Sequence, residues 1–329
     1  MKKAFKVIGI GLGSLVLLVA AFCGYVLIVG IPTYDPPATP TITVEITPAR
    51  VDRGEAIAHL QCMACHANNE NRLTGKYMDD IPAMFGKIYS KNITQDPEKG
   101  IGKWSDGDII YFLRTGVRPD GTFAAIMPKY ALMADEDIKS VVAWLRSDRF
   151  PVQPSTEEAP EVEYSFVSKL LAHTMIKPVA YPTQPILMPD TADQVAFGKY
   201  TANAVADCYA CHSADLIQQD KLNPERSKGF YGGGIEMPGK DGKPVFTANL
   251  TFDDQTGIAN KYTKEQFIRV VKLGVRPDGT ILRYPMEPRP SMSDSELGAI
   301  YEYLKTVPKI HNDIAQKYAK VQEKQLASK

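Results

Sequence analysis

The chain has 329 residues, 44% apolar and 23% charged, which leaves room for two globular domains plus extra segments and excludes a disordered polymer. Lysine and arginine number 38, as do aspartate and glutamate, so no basic excess points to nucleic acid as a partner. The balance hides an asymmetry at the start of the chain.

Lys2, Lys3 and Lys6 precede a run from Val7 to Ile31 without a charged residue, long enough as a helix to cross a hydrocarbon layer of about 30 Å. The flank Pro32, Thr33, Tyr34, Asp35 has no early basic residue, so the lysines are expected in the cytoplasm and the rest outside. A cleaved secretory or lipoprotein signal is the rival reading. Phe22 before Cys23 is a poor lipoprotein site, and the run exceeds the usual signal core, so we expect an uncleaved single-pass anchor in a bacterial cytoplasmic membrane.

After the anchor (1–31) comes a Pro-rich segment (32–47), a first domain (48–150), a second Pro-rich segment (151–188), a second domain (189–310) and a polar tail (311–329). Prolines suit extended spacers, which these two segments are expected to be. A short helix within 164–176 has only partial periodicity, and the tail reads as a frayed helix or a docking arm. The domains are related by a repeat. Cys62 to His66 matches Cys208 to His212, Asn92-Ile93-Thr94 matches Asn249-Leu250-Thr251, and Gly116 to Thr122 matches Gly274 to Thr280. The offset drifts through extra residues around Gly232-Gly233-Gly234, where a surface loop is expected.

Helices are predicted over Asp52–Cys65 and Thr191–Cys211, each leading into a cysteine pair. Ser105 with Asp108, and Thr263 with Gln266, mark N-caps of helices ending near Gly116 and Gly274. Closing helices are predicted over Asp135–Arg146 and Ser293–Thr306, and no strand pattern of comparable strength appears.

Cys62-Met63-Ala64-Cys65-His66 and Cys208-Tyr209-Ala210-Cys211-His212 are both C-x-x-C-H, the attachment signature of c-type haem. Two cysteines three apart can each form a thioether to one porphyrin edge, and the next imidazole faces the iron. A lone C-x-x-C is also compatible with a dithiol or half a zinc site; two complete motifs in a duplicated, extracytoplasmic chain favour two covalently bound haem c groups.

Histidines outside the motifs are His59, His173 and His311, and none repeats, so bis-histidine ligation is not expected. Met127 and Met286 repeat in Pro-containing loops and are the expected axial ligands, together with His66 and His212. Met133 and Met292 also repeat and are the rivals, read as packing residues. Arg118 and Arg276 open Arg-Pro-Asp-Gly, a turn sequence; as guanidinium groups they are also candidates to bind haem propionates. Trp104 and Tyr262 correspond and are expected to wall the pockets.

On these motifs, with Phe85 to Ser90, Gly100 to Ser105, Met127-Pro128-Lys129-Tyr130 and Asp135 to Ile138, the chain resembles the cytochrome c subunits of membrane-bound alcohol and gluconate dehydrogenases. The resemblance implies an all-α class I cytochrome fold in each of two tandem domains, ligation by His66 with Met127 and His212 with Met286, and electron relay. As donor we expect a membrane redox complex or dehydrogenase, and as acceptor an oxidase or soluble cytochrome. Those subunits carry three haem domains against two here, and Met286 is followed by Glu287 where the pattern has proline. No general acid–base pair or nucleophile accompanies the motifs, so no catalytic residue is expected. The alternative is a dihaem peroxidase or sulfur-compound dehydrogenase with one open haem.

Overall fold

The computed structural model describes residues 2–327 except 36, 37, 217, 218, 241, 259 and 260. Helix α1 (Lys2–Val29) covers the charge-free run and ends at Gly30, whose φ of +78° favours glycine. Thr47 caps α2 (Pro48–Gln61), with Pro48 in the first turn, where its missing N–H costs nothing. The helix breaks at Cys62 and resumes as α3 (Met63–His66).

Strand β1 (Gly86–Lys87) follows, then α4 (Asp106–Thr115), where Ser105 and Asp108 form a reciprocal capping box, and α5 (Asp135–Leu145). Strand β2 (Glu163–Tyr164) leads into α6 (Phe166–Thr174), capped by Ser165. Helix α7 (Gln194–Tyr200) runs into a π-helical turn over Thr201–Val205 before α8 (Cys208–His212). A hairpin of β3 (Glu236–Pro238) and β4 (Pro244–Phe246) precedes α9 (Lys264–Leu273), α10 (Asp294–Leu304) and α11 (Ile314–Ala327).

The structure is helix-rich, but two small antiparallel ladders amend the all-α expectation. One is the β3–β4 hairpin, which occupies the extra residues after Gly232-Gly233-Gly234. The other pairs Gly86 with Tyr164 and Lys87 with Glu163. Gly86 is required there, since a Cβ would lie 2.0 Å from the Glu163 carbonyl oxygen. The segment after α5 is therefore not a free spacer: it hydrogen-bonds β1, and α6 packs on α1.

The chain divides into two compact units, and these cut across the repeats. The first comprises 1–43, 65–129 and 148–181; the second comprises 44–64, 130–147 and 182–329. In the first, α6 meets the end of α1: the His173 ring packs edge-on against Tyr25, its Nε2 lies 3.0 Å from the Gly30 carbonyl, and Val26 is fully buried.

In the second unit two helix pairs, α2 with α5 and α7 with α10, cross in the same way. Each crossing needs a glycine. A Cβ at Gly54 would lie 2.0 Å from the Ser140 carbonyl oxygen and 2.8 Å from Trp144 Cβ; one at Gly198 would lie 1.9 Å from the Ala299 carbonyl oxygen and 2.9 Å from Tyr303 Cβ. The same unit holds an ionic cluster. Arg53 donates to Asp137 through Nε (2.8 Å) and Nη2 (2.9 Å), and to Glu296 through Nη1 (2.6 Å). Asp137 and Glu296 are equivalent first-turn residues of α5 and α10, and the Tyr200 hydroxyl also donates to Asp137 (2.5 Å).

Candidate haem-binding sites

No disulfide joins the cysteines of either motif, and burial raises the thiol pKa of Cys65, Cys208 and Cys211, that of Cys208 to about 12. Such groups are poor thiolates near neutral pH, which disfavours a dithiol exchange role. Among the described residues no cluster of three or more His, Cys, Asp or Glu is arranged to hold a metal ion.

Both motif histidines are buried. His66 Nδ1 lies 2.7 Å from the Lys91 carbonyl and His212 Nδ1 lies 2.9 Å from the Ala248 carbonyl. A carbonyl can only accept, so Nδ1 carries the proton and Nε2 is the nitrogen with a free lone pair. Burial lowers the pKa of both rings, against the carbonyl bond, which raises it; Arg118 and then Lys76 add to the lowering at His66, and Arg289 adds to it at His212. The imidazoles are thus neutral and oriented, with the donor chemistry a haem iron requires.

The methionine loops spring from matching miniature hairpins. Arg118 N–H donates to the Thr122 carbonyl (2.9 Å) and Arg276 N–H to that of Thr280 (2.8 Å); Ala124 and Leu282 then donate back to Gly116 and Gly274 at the ends of α4 and α9. Met127 and Met286 are half-buried in these loops. Met133 and Met292 are buried in the interior, Met292 within the core built on Leu297, Ile300 and Tyr301. Of the other histidines, His173 is engaged with Gly30 and Tyr25, His311 lies 3.5 Å from Asp253, and His59 is exposed.

Arg118 and Arg276 both serve their turns, each donating from Nη1 to Thr122 or Thr280 Oγ1 at 3.1 and 3.2 Å. Their surroundings otherwise differ. Arg118 lies over the Phe112 ring and its charge is felt at His66, whereas Arg276 spends a further bond on the Ile281 carbonyl (2.6 Å). The cation felt at all three of Cys208, Cys211 and His212 is Arg289, joined at Cys211 by Lys221; the sequence reading did not single Arg289 out. Trp104 packs edge-on against Phe112, and Tyr262 packs against the second core.

Residues 51–148 match the cytochrome c family model. The chain is 27% identical over 280 residues to an alcohol dehydrogenase (quinone), cytochrome c subunit, of Gluconobacter oxydans, and 28% identical over 305 residues to a fructose dehydrogenase cytochrome subunit of Gluconobacter japonicus. These matches cover 80% and 89% of this chain but 55% and 59% of those proteins, so the chain spans little more than half their length. A diheme cytochrome c-type protein of Cereibacter sphaeroides is 25% identical over 256 residues, covering 76% of this chain and 82% of that one. The chain carries a cytochrome c domain, for which covalently attached haem c is the implied cofactor, and over most of its length it resembles the cytochrome c subunits of alcohol and fructose dehydrogenases.

Proposed function

We propose that the chain is a membrane-anchored dihaem cytochrome c that carries single electrons and performs no substrate chemistry of its own. The observation that carries this is the duplicated imidazole: His66 and His212 each follow a cysteine pair, lie buried, and have Nδ1 held by a backbone carbonyl so that Nε2 is the coordinating atom. Cys62 with Cys65, and Cys208 with Cys211, are the thioether positions. Haem c, when bound, supplies a reversible one-electron Fe(III)/Fe(II) couple. Met127 and Met286 would hold the iron through their thioethers and would raise its potential; the burial of Met133 and Met292 supports that choice, since a methionine packed in a core has no free face for iron.

The spanning helix α1 stays with the protein in this reading. Its end contributes Tyr25 and Gly30 to the first compact unit through His173, and Val26 is fully buried, contacts and burial that a cleaved leader would forfeit. Length and apolar composition alone fit either an anchor or a signal. The haem domains lie outside the cytoplasmic membrane, beside a dehydrogenase or membrane redox complex as donor and an oxidase or soluble cytochrome as acceptor. The names of the relatives, subunits of dehydrogenases, support a dehydrogenase as the donor.

The test is haem content of the full chain expressed with haem-attachment machinery. Two haems per chain are expected, falling to one in Cys208→Ala/Cys211→Ala; a single haem in the parent chain contradicts the dihaem reading, and none contradicts the cytochrome reading.

A further inference from the structure

The repeated Asn-x-Thr element has no place in the haem-binding signature, yet in both repeats it builds one device. Lys91 and Ala248, whose carbonyls accept from the motif imidazoles, are the residues immediately before Asn92 and Asn249. In the first unit Asn92 Nδ2 donates to the Ser155 carbonyl (2.8 Å), and Thr94 Oγ1 accepts from the N–H of the same Ser155 (3.3 Å). In the second unit Asn249 Nδ2 donates to the Ile310 carbonyl (2.7 Å), and Thr251 Oγ1 accepts from the N–H of the same Ile310 (3.2 Å).

Two side chains thus clamp both backbone groups of one residue, and Ser155 and Ile310 each lie in the segment that follows a closing helix. The asparagine Oδ1 completes the device, accepting from the backbone N–H of Thr94 (2.8 Å) or Thr251 (3.0 Å). All four clamp residues are buried, at 3% or less exposure. A buried amide that lost these partners would leave unsatisfied polar groups away from water, so the clamp is stiff.

We propose that Asn92 with Thr94, and Asn249 with Thr251, are the positioning residues of the two proximal imidazoles. They do not touch the iron. They fix the carbonyl that fixes the ring, and so set both the ring's orientation and its basicity as a ligand. This rests on the reading of His66 and His212 as haem ligands. It also makes each clamp specific to its own haem, because each is closed within one compact unit.

The experiment is a redox titration with low-temperature EPR on the full-length haem-loaded protein, comparing Asn92→Ala and Asn249→Ala with Asn203→Ala. Asn203 is likewise buried and bonded, to the Tyr231 and Tyr303 hydroxyls, but no carbonyl holding an imidazole adjoins it. Loosening the carbonyl weakens the Nδ1–H bond, makes the ring a poorer donor and favours Fe(II). The expected result is about a tenfold change in the reduction equilibrium, 59 mV for one electron, upward, with altered g-values. It is confined to the first haem in Asn92→Ala and to the second in Asn249→Ala, with neither moved by Asn203→Ala.

Where an alanine variant fails to fold, the serine variant, which keeps a short donor and acceptor, is read in its place. Unchanged potentials and g-values with both haems present overturn the proposal. So does an equal shift of both haems by either variant, or by Asn203→Ala. Absence of haem from the unsubstituted protein would instead overturn the cytochrome reading on which the proposal rests.

Discussion

The two repeats hold their motif histidines in the same way and differ in what surrounds them. Each imidazole is tied to a carbonyl one residue before an Asn-x-Thr clamp, and each opening helix crosses its closing helix over a glycine, Gly54 or Gly198. Around this shared frame the first repeat is braced by chain that follows it: β2 pairs with β1, and Ser155 and Glu157 accept from Asn92. The second is braced by its own tail. Asn312 Nδ2 donates to the carbonyls of Gly232 (2.8 Å) and Gly233 (3.0 Å), and the Gly233 N–H donates to that of His212 (2.7 Å). What was duplicated is the geometry at the histidine; the buttress was found twice.

The strongest test of the shared frame separates packing methionines from ligating ones. Met133→Ala and Met292→Ala each empty a fully buried site and are expected to cost about 3 kcal/mol in denaturant unfolding followed through the haem band, with methionine ligation intact. Loss of methionine ligation in either variant would exchange the assigned roles.

The glycine crossings come next. Gly54→Ala and Gly198→Ala force a Cβ to within about 2 Å of a backbone oxygen that cannot swing aside, and each is expected to cost about 3 kcal/mol. Equal losses sharpen the equivalence of the two crossings, and a neutral substitution at either would break it.

The position before each glycine is where the repeats part company: Arg53 in one, the buried Phe197 in the other. Arg53→Ala leaves Asp137 and Glu296 without their cation. Removing one partner of a buried pair typically costs 3–5 kcal/mol; Arg53 keeps some contact with water, so about 2 kcal/mol is expected from urea unfolding. A double-mutant cycle with Glu296→Gln should show coupling between them.

The smallest effects concern the arginines. Arg118→Ala should lower the potential of the first haem and Arg289→Ala that of the second, each by the equivalent of up to about 1 kcal/mol, the scale of a partly solvated charge pair. Arg276→Ala should move neither, because its guanidinium is spent on Thr280 and Ile281. Spectroelectrochemical titration of the three variants decides it.

These contrasts also mark what the sequence made legible. The capping residues Ser105 and Thr263 and the helices they open are local patterns within a few residues, and the structure places them as read; the two C-x-x-C-H motifs are legible in the same local way. The π-helical turn that interrupts the predicted Thr191–Cys211 helix is invisible to a 3.6-residue pattern, and Asp207 after it sits at φ +48° without a glycine to announce it. Asn92 and Asn249 were visible as repeat markers, but their clamp partners lie about 60 residues on, beyond any local signal. Arg289 was missed because the corresponding residue of the first repeat is Tyr130, so internal comparison pointed away from it. The segment 151–188 looked like a spacer because it is Pro-rich; pairing of β2 and packing of α6 depend on tertiary partners that composition does not encode.

The most direct test of the account is the optical and low-temperature EPR spectrum of the purified protein during a redox titration, followed by its Met127→Ala and Met286→Ala variants. The account predicts two low-spin haems with the weak red-edge absorption of methionine bonded to ferric iron, half of it lost in each single variant and all of it in the double. A high-spin haem in the unsubstituted protein, or an absorption that survives both substitutions, would contradict it.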